Sequence, residues 1–227
     1  MKIAVLGTGV VGQTLAEKLS ELNHDVMMGS RNTTDLLAKN NPDNFGRPPF
    51  KEWIKQYQKI KFGTFSEAAA FGELIINATN GMGSLEAIKL AGEQNLNDKV
   101  LLDVSNPLDF SKGMPPTLFV CNNDSLAEQI QRTLPKAKVV KSLNTMNAYI
   151  MVKPSLLSGD HNVFVNGNDA GAKTEVKKLL NSFGWKNENI IDLGDITASR
   201  GAEMILPLWL SLYEALKSGM MNFHIAR

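Results

Sequence analysis

The stretch Ile3-Ala4-Val5-Leu6-Gly7-Thr8-Gly9-Val10-Val11-Gly12 decides how this chain folds. Four apolar residues run straight into three glycines spaced G-x-G-x-x-G. Behind them Val11, Leu15, Leu19 and Leu22 fall at helical spacing, with Gln13, Glu17, Lys18 and Glu21 opposite. Strand, glycine turn and amphipathic helix, in that order, are the context a dinucleotide-binding fingerprint requires. Gly7 permits the tight turn, Gly9 lets the backbone approach a pyrophosphate, and Gly12 allows close helix–strand packing. The anion then meets the free N–H groups and favourable dipole of the helix N-terminus. With 18 glycines in the chain a bare match would mean little. The flanking elements give it weight, and Gly7 to Gly12, with Thr8, Val10 and Val11, form the first candidate cofactor-binding segment.

Outward from this turn, strand-like runs alternate with helical patterns. The strands expected are Lys2–Leu6, Asp25–Met28, Lys59–Phe62, Leu74–Ala78, Val100–Val104, Lys138–Ser142 and Asn162–Val165; further helices are expected over Ser84–Glu93, Ser125–Thr133 and Gly171–Phe183. The alternation predicts an α/β fold: a Rossmann-type, doubly wound, mostly parallel sheet with a C-terminal helical region. Residues 1–150 read as the dinucleotide-binding core and 151–227 as a C-terminal α/β extension packing on it. Two regions break the rhythm. Asn40–Phe50 is rich in turn residues and, with Trp53 and Tyr57, reads as a surface insertion over 40–58, a packed decoration rather than a mobile flap. Ile196–Met221 is a long helical pattern interrupted near Pro207 and apolar on most sides from Ile205 to Leu216. Such a helix must be covered, and a homodimer interface is expected there.

The tip of the second strand chooses the cofactor. An NAD site places an acidic residue there for the ribose 2′-hydroxyl. This chain instead reads Met28-Gly29-Ser30-Arg31-Asn32, with no carboxylate, and Asp25 lies at the strand's start, on the wrong edge. A hydroxyl and a guanidinium suit a 2′-phosphate, so NADP(H) is expected. Three later tips are polar as well: Asn77-Ala78-Thr79-Asn80-Gly81, Ser105-Asn106-Pro107 and Asn144-Thr145-Met146. In a parallel sheet these ends share the ligand-binding edge. Ala78, Thr79, Asn80, Ser105, Asn106, Pro107, Asn144 and Thr145 therefore join Ser30, Arg31 and Asn32 as candidate cofactor-binding residues. Asp103, inside an apolar strand, reads as a satisfied structural carboxylate.

No side chain is assigned a catalytic role. Tyr149 and Lys153 have the Tyr-x-x-x-Lys spacing of short-chain dehydrogenases, but Pro154 disfavours helical geometry at Lys153. His24, His161 and His224 are too scattered for a metal site. Composition sets outer bounds: 24 basic against 23 acidic side chains leave a net charge of +1, with no sequence-wide footprint for nucleic acid or membrane. One cysteine, Cys121, excludes an intrachain disulfide. The N-terminal apolar run is shorter than a signal peptide needs and no apolar run reaches membrane-span length, so a cytoplasmic protein is expected.

Taken together, Gly7-Thr8-Gly9-Val10-Val11-Gly12, Asn23 through Arg31, Asp103-Val104-Ser105-Asn106-Pro107 and Lys141-Ser142-Leu143-Asn144-Thr145 resemble the coenzyme F420-dependent NADP oxidoreductase family, which includes the NADPH-binding domains of ferric reductases. The resemblance implies that Thr8, Ser30 and Arg31 contact the 2′-phosphate region and that Asn144 and Thr145 lie near the nicotinamide. It also implies hydride transfer between NADPH and a deazaflavin (F420) or flavin-type co-substrate. The long stretch after Arg31 and a Gly81-Met82-Gly83 turn after Asn80 depart from the family pattern. Two other readings stay open: a non-catalytic NADP(H)-binding redox-sensing module, and an NADPH-dependent reductase of a small carbonyl or imine.

Overall fold

The computed structural model describes residues 1–42 and 46–226. The first βαβ unit comprises β1 (Lys2–Leu6), α1 (Val10–Glu21) and β2 (Asp25–Ser30), with Lys2 opposite Asp25 and Leu6 opposite Gly29 in parallel register. Two helices, α2 (Thr33–Ala38) and α3 (Phe50–Gln56), precede β3 (Lys61–Thr64). Next come α4 (Phe65–Phe71), β4 (Leu74–Asn77), α5 (Gly81–Ala91), α6 (Glu93–Leu96) and β5 (Val100–Asp103). A small antiparallel pair, β6 (Leu108–Asp109) and β7 (Thr117–Leu118), leads to α7 (Leu126–Thr133) and β8 (Lys138–Ser142). The chain closes with α8 (Ala148–Val152), β9 (Val163–Gly167), α9 (Ala170–Phe183), β10 (Ile190–Asp192), α10 (Ser199–Met204) and α11 (Leu206–Leu216).

The main sheet runs β3-β2-β1-β4-β5-β8-β9-β10. Its first six strands are parallel, in the doubly wound order that reverses beside β1. The C-terminal part extends the same sheet: β9 lies antiparallel on β8, and β10 parallel on β9. One face carries α1, α3, α8 and α9 over a core that includes Leu15, Phe50, Ile150 and Leu179; the other carries α4, α5 and α7 around Ala68, Ile88 and Ile130. Covered on both faces, β4 and β5 can be continuous apolar runs rather than alternating ones.

Several element ends differ from the sequence reading. The third strand starts at Lys61 rather than Lys59, because Ile60 N–H closes a turn on the Tyr57 carbonyl. Gly81-Met82-Gly83 is the first turn of α5 rather than a separate turn, since the Asn80 side chain caps that helix by accepting from Met82 N–H. A Cβ at Gly81 would stand 1.8 Å from the Asn106 carbonyl oxygen, so only glycine lets the helix start this close to the β5 tip.

Within the 40–58 insertion, Phe50 is buried, its ring 4.7 Å from that of Phe62 and 5.7 Å from Trp53; Trp53 meets Tyr57 at 4.6 Å. A hydrogen bond to Glu17 of α1, with burial and the charges of Glu17 and Glu21, pushes the Tyr57 hydroxyl up to about 12. The stretch 50–57 is thus a packed decoration, while Asp43–Phe45 lie outside the described residues. At the other end, the helical pattern breaks at Ile205 and Pro207 sits in the first turn of α11, where its missing N–H costs nothing. Among the described residues, no helix is long and apolar enough to cross a membrane.

Candidate cofactor site

The tips of β1, β2 and β4 meet where the strand order reverses, and a cleft of about 420 Å³ opens there. It is lined by Gly7, Thr8 and Gly9 after β1, by Ser30, Arg31 and Asn32 after β2, and by Ala78, Thr79 and Asn80 after β4. Nine of the residues expected from sequence therefore share one opening. The sequence reading missed Asp35, Leu36 and Lys39 on α2, Phe65 on α4, and Gly83 and Ala87 on α5. Nothing local marks them, because they arrive from three helices. A second cleft of about 630 Å³ adjoins the first through Thr8, Gly9, Leu36 and Lys39, and the insertion closes it with residues including Asn40, Arg47 and Pro49.

The three glycines have distinct tasks. Gly7 has φ +115°, a backbone conformation that side chains resist, and a Cβ there would lie 2.5 Å from the Ala78 carbonyl oxygen. A Cβ at Gly12 would lie 2.2 Å from the Gly7 carbonyl oxygen, so α1 packs on the turn only without one. At Gly9 a Cβ would meet no described atom within 4 Å. The first two are demanded by the fold, whereas at Gly9 the space beside the backbone is open. Gly9 is also the N-cap of α1, and among the described residues no side chain caps that end. Val10 and Val11 open the helix, Val11 packing against the core below.

At the β2 tip, the Ser30 hydroxyl is buried and has no hydrogen-bond partner among the described residues. A buried hydroxyl without a partner is costly, and this one lies in the lining of the cleft. Arg31, beside it, extends across the first turns of α5, its Nη2 3.1 Å from Glu86 Oε2. Asn32 turns away to cap α2, accepting from Asp35 N–H.

Farther along the edge, the polar tips are bound to each other. Asn106 Nδ2 donates to the Asn144 carbonyl at 2.8 Å, and Asn144 Nδ2 donates to Asn106 Oδ1 at 3.0 Å and to the Ala202 carbonyl at 2.8 Å. The Asn144 amide thus fastens the β8 tip to the β5 tip and to α10; Thr145 is buried, and of the expected residues Ser105, Asn106, Pro107, Asn144 and Thr145 none is among the residues lining these two clefts. Ser105 Oγ donates to Asp103 Oδ1, and Pro107 follows on the same loop. Lys153, the C-cap of α8, leaves the helix at φ −150°, so it does not share a helical face with Tyr149.

Beneath these tips lies a wholly buried ion group. Lys141 Nζ is 2.8 Å from Asp103 Oδ2 and 2.8 Å from Glu203 Oε1, and it donates to the Ser105 carbonyl. Burial lowers the ammonium's pKa, but Asp103 and Glu203 outweigh it and hold the value above the ordinary lysine range. Asp103 also accepts from Asn77 Nδ2, whose Oδ1 accepts from the Thr79 hydroxyl at the cleft. Glu203 accepts from Leu126 and Ala127 N–H at the start of α7. Asp103 is the satisfied structural carboxylate expected. Its partner could have been read too: Lys141 is a lone cation in the apolar run Val139-Val140, one strand away.

The Gly9 turn, an unpartnered buried hydroxyl and a cation at the β2 tip thus line one opening at the switch point of a dinucleotide-binding type of sheet. The model of the family "NADP oxidoreductase coenzyme F420-dependent" matches residues 2–107. A solved chain from Arthrobacter sp. FB24, provisionally described as an F420-dependent NADP reductase, is 53% identical, covers both chains completely and superposes with a TM-score of 0.94. The protein belongs to the coenzyme F420-dependent NADP oxidoreductase family, whose members are NADP-dependent oxidoreductases. Among curated relatives, metalloreductase STEAP3 of Rattus norvegicus is 24% identical over 92% of this chain, and a glycerol-3-phosphate dehydrogenase [NAD(P)+] of Chlorobium phaeobacteroides is 23% identical over 76%. This chain spans 38% and 56% of their respective lengths. An imine reductase of Streptomyces aurantiacus, 14% identical with a TM-score of 0.59 over 95% of this chain and 65% of that one, shares the fold.

Proposed function

We propose that this protein transfers hydride between NADPH and a planar deazaflavin or flavin-type acceptor. The observation that carries the NADP(H) half is the β2 tip, where an unpartnered buried Ser30 hydroxyl and the Arg31 guanidinium stand in place of the carboxylate of an NAD site. Ser30, Arg31 and Thr8 would hold the 2′-phosphate side, and the Gly9 turn with the α1 N-terminus the pyrophosphate. The β4, β5 and β8 tips would seat the nicotinamide end, stiffened by the Asn106–Asn144 pair. When bound, the nicotinamide supplies the hydride; the chain's task is to hold the cofactor in near-attack geometry and exclude water. Such a transfer requires no side-chain acid. Anaerobic NADPH oxidation with F420, FMN, FAD and ferric chelates as competing acceptors tests the reading. Selective reduction of a deazaflavin or flavin is expected, and NADPH binding without any acceptor being reduced would transfer the assignment to a redox-sensing module.

The reading extends to assembly and compartment. Only Leu206 of α11 is buried, while Leu208 (53%) and Leu216 (59%) are widely exposed, with Tyr213 and the nearby Met204 and Met220 also exposed. This apolar face would be covered by a second copy, giving a homodimer. Sedimentation of the wild type as a dimer and of Leu208→Asp as a monomer is the expected result. The reduced thiol Cys121 suits the cytoplasm.

A further inference from the structure

Arg31 is the cation assigned to the 2′-phosphate, yet it already faces a carboxylate. Its Nη2 is 3.1 Å from Glu86 Oε2, and both side chains are open to solvent, 63% and 56% exposed. Glu86 is on α5, three residues after Gly83 and one before Ala87, both of which line the cleft. Arg31 Nη2 passes close to Gly83, 3.6 Å from where a Cβ on that residue would stand. The guanidinium thus passes Gly83 in the first turn of α5 and ends on Glu86.

We propose that Glu86 is a specificity-determining residue that competes with the cofactor's 2′-phosphate for Arg31 and so moderates the preference for NADP(H) over NAD(H). This inference rests on the NADP(H) reading of the cleft. The chemistry is one of charge. A phosphate bearing up to two negative charges must take Arg31 either in place of Glu86 or alongside it. In the first case the exposed ion pair is given up, which costs little. In the second the guanidinium serves two anions, which repel across it. Either way Glu86 subtracts from NADPH binding. A ribose 2′-hydroxyl is neutral, makes no claim on the guanidinium's charge and meets no repulsion, so NADH binding is indifferent to Glu86. The magnitude follows from Coulomb's law for charges separated by one guanidinium near water, on the order of a 3–10-fold change in Kd.

The test is titration of NADPH and NADH against the wild type, Glu86→Gln and Arg31→Ala, at low and high salt. Glu86→Gln should bind NADPH on the order of 3–10-fold more tightly with NADH unchanged, and the gain should shrink as salt screens the site. Unchanged NADPH affinity would make Glu86 a bystander, and weaker NADPH binding would mean that it positions Arg31; either result overturns the proposal. Arg31→Ala separates the two levels. If it weakens NADPH and NADH equally, the 2′-phosphate reading fails and the proposal with it. If it is selective while Glu86→Gln has no effect, only the proposal fails. Both side chains are exposed, so unchanged thermal melting of each variant is the expected control.

Discussion

Two ion groups of this protein use the same chemistry in opposite places. Arg31 and Glu86 pair at the rim of the cleft, both more than half exposed, whereas Lys141, Asp103 and Glu203 form the floor beneath the strand tips with essentially no exposure. At the rim, water supports either partner alone, so the pair adds little stability and its cation can be exchanged to a ligand. On the floor each charge depends on the others, because none has water to return to. Rim residues should therefore be read in binding and floor residues in stability.

Breaking the floor should give the largest effect. Lys141→Met leaves two carboxylates buried without their cation, and urea unfolding should show a loss of about 3–5 kcal/mol. A loss below about 1 kcal/mol would mean that the group is not interdependent, and the contrast with the rim would collapse.

The glycines sharpen the same contrast. Gly9→Val should abolish NADPH binding with little change in melting temperature, since its Cβ meets no described atom. Gly12→Ala should lower both, because its Cβ would strike the Gly7 carbonyl. Equal melting temperatures for the two variants would contradict this division.

Next in size is the rim itself. Arg31→Ala removes a charge-assisted bond worth about 1.5–3 kcal/mol, so NADPH should bind about 10–100-fold more weakly while NADH hardly changes. Ser30→Ala should cost less, as a neutral hydroxyl makes a weaker bond. Calorimetric titration of both cofactors measures both effects, and neither variant should shift urea unfolding appreciably.

Titration should give the smallest signal. The Lys141 pKa is raised on folding, so its contribution is intact below the ordinary lysine value and is lost only as pH rises through the higher folded value. Up to about pH 9 the Lys141 contribution should stay constant. Acid is different: Asp192 is partly buried, yet Lys173 and Lys177 hold it at about 2, so its contribution fades as pH falls from about 4 toward 2. Stability measured against pH should dip there and less so in Asp192→Asn. A decline between pH 6 and 9 that disappears in Lys141→Met would show the floor losing its proton early.

The rim was largely legible in the sequence. Gly7, Gly9 and Gly12 announce a turn through their spacing, and Ser30 and Arg31 follow a strand that the apolar pattern locates. The glycine tasks, the strand order around β1 and the shared edge of the later tips need only local periodicity and the rule that parallel strands are linked by helices. The floor was half legible, because a charge inside an apolar strand must find a partner; Asp103 and Lys141 are such charges on adjacent strands. Glu203 could not be read this way, since it sits in a helix remote in sequence.

By itself, then, the sequence determined the class of fold, the glycine turn and the character of the β2 tip, because each depends on residues within one strand–turn–helix segment. Only the tertiary structure decided which helices bring Leu36 and Gly83 to the cleft, that Glu86 meets Arg31, that Asn144 fastens strand tips together, and that Glu203 completes the buried ion group. The physical reason is that hydrophobic periodicity specifies which face of an element is buried but not which neighbour it meets there. A polar side chain's role is set by that neighbour: an Arg beside a carboxylate in water remains available, while a Lys between two carboxylates in the core is committed to the fold.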